Sequence, residues 1–72
     1  MNYKVERCAD RYVLKIEDSK LYFKETPQLI EVQDIYIPNK SNVSYESLIK
    51  ACIDLSINKS LGIFFHKNIL HL

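Results

Sequence analysis

The side chains best suited to nucleophilic or metal chemistry in this chain are Cys8, Cys52, His66 and His71. Their spacing assembles no site. The thiols lack a C-x-x-C spacing and flanking histidines, and two histidines without a third ligand of clear spacing carry no metal signature. As a general base, either histidine needs a nucleophile and an orienting carboxylate, and no such trio is spaced along the chain. Cys52 recurs with apolar residues at helical spacing, so it is expected as a small buried hydrophobe. Cys8, near Arg7 and Arg11, is the thiol that could be exposed and reactive. Both histidines are expected on a wet surface. The single glycine rules against a Gly-rich phosphate loop. A chain of 72 residues also has little volume for an enclosed small-molecule pocket. These features predict a non-enzymatic protein with no cofactor and no metal.

The carboxylates Glu17, Asp18, Glu25, Glu31 and Asp34 crowd the middle of the chain, against only Lys20 and Lys24. Both ends are mildly basic. A general acid and base could be drawn from this acidic stretch, but its members fall where strand faces and turns meet water. The formal net charge of +1 lacks the basic excess usual in nucleic-acid binders. Five tyrosines are the more informative set. Exposed aromatics on a strand face either stack bases or belong to protein interfaces.

The elements that position these residues follow from periodicity. Tyr45, Leu48, Ile49, Cys52 and Leu55 recur as one face of a helix over 44–58, with Glu46, Ser47, Lys50 and Asp54 opposite. Ser44 is its expected N-cap. Lys50 lies four residues from both Glu46 and Asp54, a spacing for weak ion pairs. Residues 2–8 form a short strand or an arm. Two β-rich runs, 11–17 and 21–25, read as a hairpin about Asp18-Ser19-Lys20, with Leu14, Ile16, Leu21 and Phe23 toward the core. Pro27 breaks the chain before a strand over 29–37, whose apolar phase slips near Gln33-Asp34 and predicts a bulge there. Gly62 is expected at positive φ. A final hairpin turning at Lys67-Asn68 would pair Phe65 with Leu70 and Ile63 with Leu72.

The summed order, β-β-β-α-β-β with an optional first strand, predicts a single α+β domain over residues 1–72. It is a two-layer sandwich with one amphipathic helix on one face of an antiparallel sheet. One helix covers one face only, so Tyr22, Tyr36 and Phe64 are expected on the uncovered face. The apolar end, Ile69, Leu70 and Leu72, is expected at a sheet edge as the seam of a homodimer. No apolar run approaches the ~20 residues of a membrane span, and the start has no signal-peptide pattern. A cytoplasmic location with reduced thiols is therefore expected.

The expected function is binding another protein through Tyr22, Tyr36 and Phe64, with Glu17, Glu31 and Asp34 as further contact residues. The narrower form is a phage or mobile-element inhibitor of a host defence complex, suited to a short, motif-free chain rich in Ile, Lys and Asn. It would act by steric occlusion or by acidic imitation of nucleic-acid phosphate. The alternative is a nucleic-acid-binding module using the tyrosines and the basic ends, a reading the intervening acids oppose.

Overall fold

The computed structural model describes residues 2–67 and 69. It shows a small α+β fold with a five-stranded mixed sheet and one helix. At its centre, strands β2 (Arg11–Ile16) and β3 (Ser19–Glu25) form the expected hairpin, with Leu14 opposite Leu21 and Tyr12 opposite Phe23. The loop is shorter than the sequence suggests: Glu17 and Asp18 alone make it, with Glu17 at φ 51. Ser19 thus joins the strand and points inward in phase with Leu21 and Phe23. It is fully buried, and its hydroxyl donates to Asp18 Oδ1 at 3.2 Å and lies 3.1 Å from Ser41 Oγ.

Strand β1 (Lys4–Cys8) forms and pairs antiparallel with β2 through the two-residue turn Ala9-Asp10, where Ala9 has φ 58. Strand β4 (Leu29–Tyr36) flanks β3. Tyr22 lies opposite Asp34 and Phe23 opposite Val32, so Gln33 is the extra residue of the expected bulge. The bulge brings Ile35, odd in the alternation, back to the side of Ile30 and Val32, where it packs on the core.

Helix α1 (Tyr45–Asn58) starts as its sequence requires. Ser44 is extended, at φ −91 and ψ 154, and its Oγ accepts from the Ser47 backbone N–H at 3.0 Å. Leu48, Ala51, Cys52 and Leu55 are buried against Leu14, Leu21, Phe23, Ile30 and Val32, with Tyr45 and Ile49 half-buried beside them. On the outer side Lys50 pairs with Glu46 at 3.3 Å, an exposed contact worth roughly 0.2–0.5 kcal/mol. The expected Lys50–Asp54 pair is not among those formed by the described residues. Asp54 Oδ2 instead accepts from the Tyr3 hydroxyl at 3.1 Å and from Asn58 Nδ2 at 3.4 Å.

The helix ends in a Schellman motif. Leu61 N–H donates to the Ser56 carbonyl at 2.9 Å and Ser60 N–H to that of Ile57 at 3.1 Å, with Ser60 at φ 56. The left-handed residue is therefore Ser60, and Gly62 does not have the positive φ expected of it. Gly62 instead opens strand β5 (Gly62–Phe65), its N–H donating to the Gln28 carbonyl at 3.0 Å.

Strand β5 corrects the expected antiparallel sheet. It runs parallel to β4, with Leu29 beside Gly62 and Val32 beside Phe65. The reason is geometric. A 14-residue helix travels about 21 Å, roughly the length of a strand, and returns the chain to the end where β4 began. The spatial order is β1-β2-β3-β4-β5, and the described elements run β-β-β-β-α-β. Ile69 does not start a strand. It lies in a turn, its N–H donating to the His66 carbonyl at 3.0 Å, and its side chain is 6 % exposed within the core. Burial removes Ile69 from the proposed dimer seam. Leu70 and Leu72, the expected partners of Phe65 and Ile63, lie outside the described residues, as do Asn68 of the expected turn and His71.

A left-handed serine costs roughly 1 kcal/mol that a glycine would not. Ser60→Gly is expected to stabilise the fold by about 1 kcal/mol in chemical denaturation. Gly62→Ala is expected to cost nothing, since a Cβ there would meet Gln28 O at 3.6 Å and Leu29 Cβ at 3.7 Å, ordinary contacts at an ordinary φ. A loss of stability in Ser60→Gly would contradict this account of the helix end.

Candidate functional site

The sheet face turned away from α1 is built by strand alternation and register. One row across the strands reads Lys4, Lys15, Lys20 and Tyr36, each directly opposite the next. The second reads Glu6, Val13, Tyr22 and Asp34. A third runs Lys24, Glu31 and Phe64. The three expected aromatics thus share this face but differ in openness. Tyr36 is 55 % exposed and Phe64 50 %. Tyr22 is half-buried beneath the Arg11 guanidinium, 4.6 Å from its ring centroid, a cation–π contact. Phe64 meets the His66 ring edge-on at 5.5 Å.

The expected acidic residues are not gathered into one patch. Glu31 lies opposite Lys24, and its Oε2 is 3.1 Å from His66 Nε2. Asp34 Oδ1 accepts from the Ile35 N–H at 2.9 Å. Glu17 sits apart, in the β2–β3 turn, where it lines an open cleft of about 720 Å3 with Asn2, Tyr3, Lys4, Glu6 and Lys15. The cleft walls carry an ion pair, Lys15 to Glu6 at 3.0 Å, that holds the Glu6 carboxyl below its usual range. No Cys, Ser, Thr or His is among the described residues that line it.

Comparison with protein-family models, with curated proteins and with solved structures finds no match to this chain. Its function must therefore be read from its own residues. Among those described, no cluster of three His, Cys, Asp or Glu side chains could hold a metal ion, and no helix is long and apolar enough to cross a membrane.

The thiols separate as their positions in sequence suggest. Cys52 is fully buried on the inner face of α1, and burial pushes its thiol up to about 12. It is a core residue and no nucleophile. Cys8 is exposed. Burial also raises the Tyr45 hydroxyl, which donates to the Ile69 carbonyl. Tyr3 is raised by burial and then by its bond to Asp54.

Several contacts escape a linear reading. Asp18, Ser19 and Ser41 form a hydrogen-bonded knot, in which Ser41 Oγ donates to Asp18 Oδ1 at 2.6 Å and accepts from the Val43 N–H at 3.0 Å. Ser19's phase with Leu21 and Phe23 was its one signal. Lys59 reaches Glu25 at 2.7 Å and lies 5.8 Å from the Tyr12 ring, which itself stacks on Phe23 at 5.4 Å. No local spacing marks that cluster.

Thiol titration tests these assignments. The native protein is expected to expose one fast-reacting thiol, Cys8, with Cys52 reacting only on unfolding. Because the folded thiol of Cys52 lies near 12 and the usual value is 9.0, its contribution to stability is complete below about pH 9. That contribution falls as pH climbs from 9 toward 12. Cys52→Ala should flatten part of this alkaline decline, and Tyr3 and Tyr45 supply the remainder. An unaltered slope would show that Cys52 is not protected as described.

Proposed function

We propose that this chain is a small, non-enzymatic protein-binding module. Its helix seals one side of the sheet as a two-layer α+β sandwich, and its outer sheet face docks on a partner protein in the cytoplasm. The observation that supports this is the pairing of two half-exposed aromatics, Tyr36 and Phe64, with an Arg11–Tyr22 stack on one uncovered face. Tyr, Phe and Arg are the residues that interfaces enrich, and Tyr and Arg dominate their energetics. If the module is an inhibitor of a host complex, as in the phage or mobile-element form, a rigid sheet face suits steric occlusion. It does not suit phosphate imitation, because Glu31 and Asp34 are interleaved with Lys20 and Lys24.

A second reading, nucleic-acid binding, draws on one specific feature. Lys4, Lys15 and Lys20 lie side by side across three strands and lead to the exposed ring of Tyr36. A backbone phosphate would meet the lysines while a base stacked on the tyrosine. Glu6 and Asp34 in the adjacent row oppose it.

Capture from a native lysate with and without nuclease distinguishes the two. A stoichiometric protein that survives nuclease, and is weakened about thirtyfold by Tyr36→Ala with Phe64→Ala, is the expected result. Nucleic acid as the captured species, lost in high salt, would transfer the assignment to the second reading. Capture indifferent to the double variant would rule out the outer face.

A further inference from the structure

Strand β1 is an edge of the sheet, and all five of its residues are exposed. Among the described residues nothing pairs with its outer side. Which backbone groups point outward follows from the hairpin. A two-residue loop closes on a pair that exchanges both backbone bonds, so Cys8–Arg11, Glu6–Val13 and Lys4–Lys15 are bonded inward to β2. The N–H and C=O groups of Val5 and Arg7 therefore face away from the sheet. They form a template for another strand.

The charges of β1 select its partner. Two copies related by a two-fold axis normal to the sheet pair a residue with itself at the axis. Only registers centred on Val5, Glu6 or Arg7 pair at least three residues of Lys4–Cys8. Centring on Glu6 sets Glu6 against Glu6, and centring on Arg7 sets Arg7 against Arg7, both like-charge contacts. Centring on Val5 places Lys4 opposite Glu6 of the second copy, twice by symmetry, with Val5 against Val5 between them. Val5 is 37 % exposed on the helix side of the sheet, opposite Leu14. Lys4 faces Lys15, a like charge, and forms no ion pair among the described residues. The second copy would supply an acid in its Glu6, which pairs with Lys15 of its own chain at 3.0 Å and would then sit between two lysines.

We propose that β1 is a self-association edge, joining two copies antiparallel about Val5 so that their five-stranded sheets become one. The pairing leaves Tyr36 and Phe64 free and is independent of the docking face. It would double that face, giving a bivalent module.

The test uses sedimentation of the full chain across a range of concentrations. A reversible dimer is expected for the natural sequence. Lys4→Glu and Glu6→Lys should each weaken it by about tenfold, since each turns two attractive cross-strand pairs repulsive. Mixed in equal amounts, the two variants should recover a dimer, because one chain then carries acids and the other lysines at both positions. Val5→Pro removes an N–H that donates nothing within the sheet, so it should abolish the dimer with circular dichroism unchanged. A natural sequence monomeric at every concentration would overturn the proposal. So would a dimer insensitive to all three variants, or a mixture of Lys4→Glu and Glu6→Lys chains that stays monomeric while each is folded.

Discussion

The fold depends on one buried seam, where Leu14, Leu21, Phe23, Ile30 and Val32 of the sheet meet Leu48, Ala51 and Cys52 of the helix, all at 0 % exposure. A chain of this length buries only about 60 % of the surface its unfolded form exposes, so no large hydrophobic reserve lies elsewhere. Every other element serves that seam or is shaped by its limits. The bulge at Gln33 exists to aim Ile35 at it, Ile69 folds back to close one end, and the Tyr3–Asp54 bond ties the N-terminal strand to the helix above it.

The same seam explains why the molecule has an outer face at all. A helix about 10 Å wide cannot cover five strands spaced roughly 4.8 Å apart, and among the described residues it has no counterpart on the other side. Val13 nevertheless reaches 5 % exposure on that other side, with Glu6 and Tyr22 as its cross-strand neighbours. Coverage there is made by long polar and aromatic side chains, Arg11 upon Tyr22 among them. The surface is therefore amphipathic without being a second core.

Periodicity made much of this legible. The helix face, its serine cap, the β2–β3 hairpin and the bulge all follow from spacing, because local sterics and alternation decide them. The direction of β5 did not, since Ile63-Phe64-Phe65 suits a parallel strand and a hairpin arm equally. Only the length of the crossover helix selects the first. The left-handed residues were hidden for the opposite reason: Ala9, Glu17 and Ser60 carry no glycine signal, and the one glycine is spent in extended backbone. In the candidate site, alternation placed Tyr22 and Phe64 on one face, and alternation reset by the bulge at Gln33 placed Tyr36 beside them. The cover of Tyr22 depends on a guanidinium from a neighbouring strand, and the acidic run in sequence is dispersed in space by cross-strand register.

The parallel pairing of β4 and β5 sets one long chain closure against several short ones. The β1–β2–β3–β4 meander closes through turns of a few residues, whereas β5 can add only after residues 37–61 have looped over the sheet. The Asp18–Ser41 bond fastens the start of that loop to the β2–β3 turn, so the meander is the platform on which the crossover is laid. Strand β5 is therefore the one strand whose pairing waits on a long loop, whereas the other strand pairs close locally. Were β5 to detach, the central hairpin would be untouched and the sheet's edge would pass from β5 to β4. Amide protection in such a molecule is graded across the sheet, strongest at Leu14 and Leu21 of the central hairpin and weakest at the edges, where the Val5 and Arg7 N–H groups have no partner among the described residues.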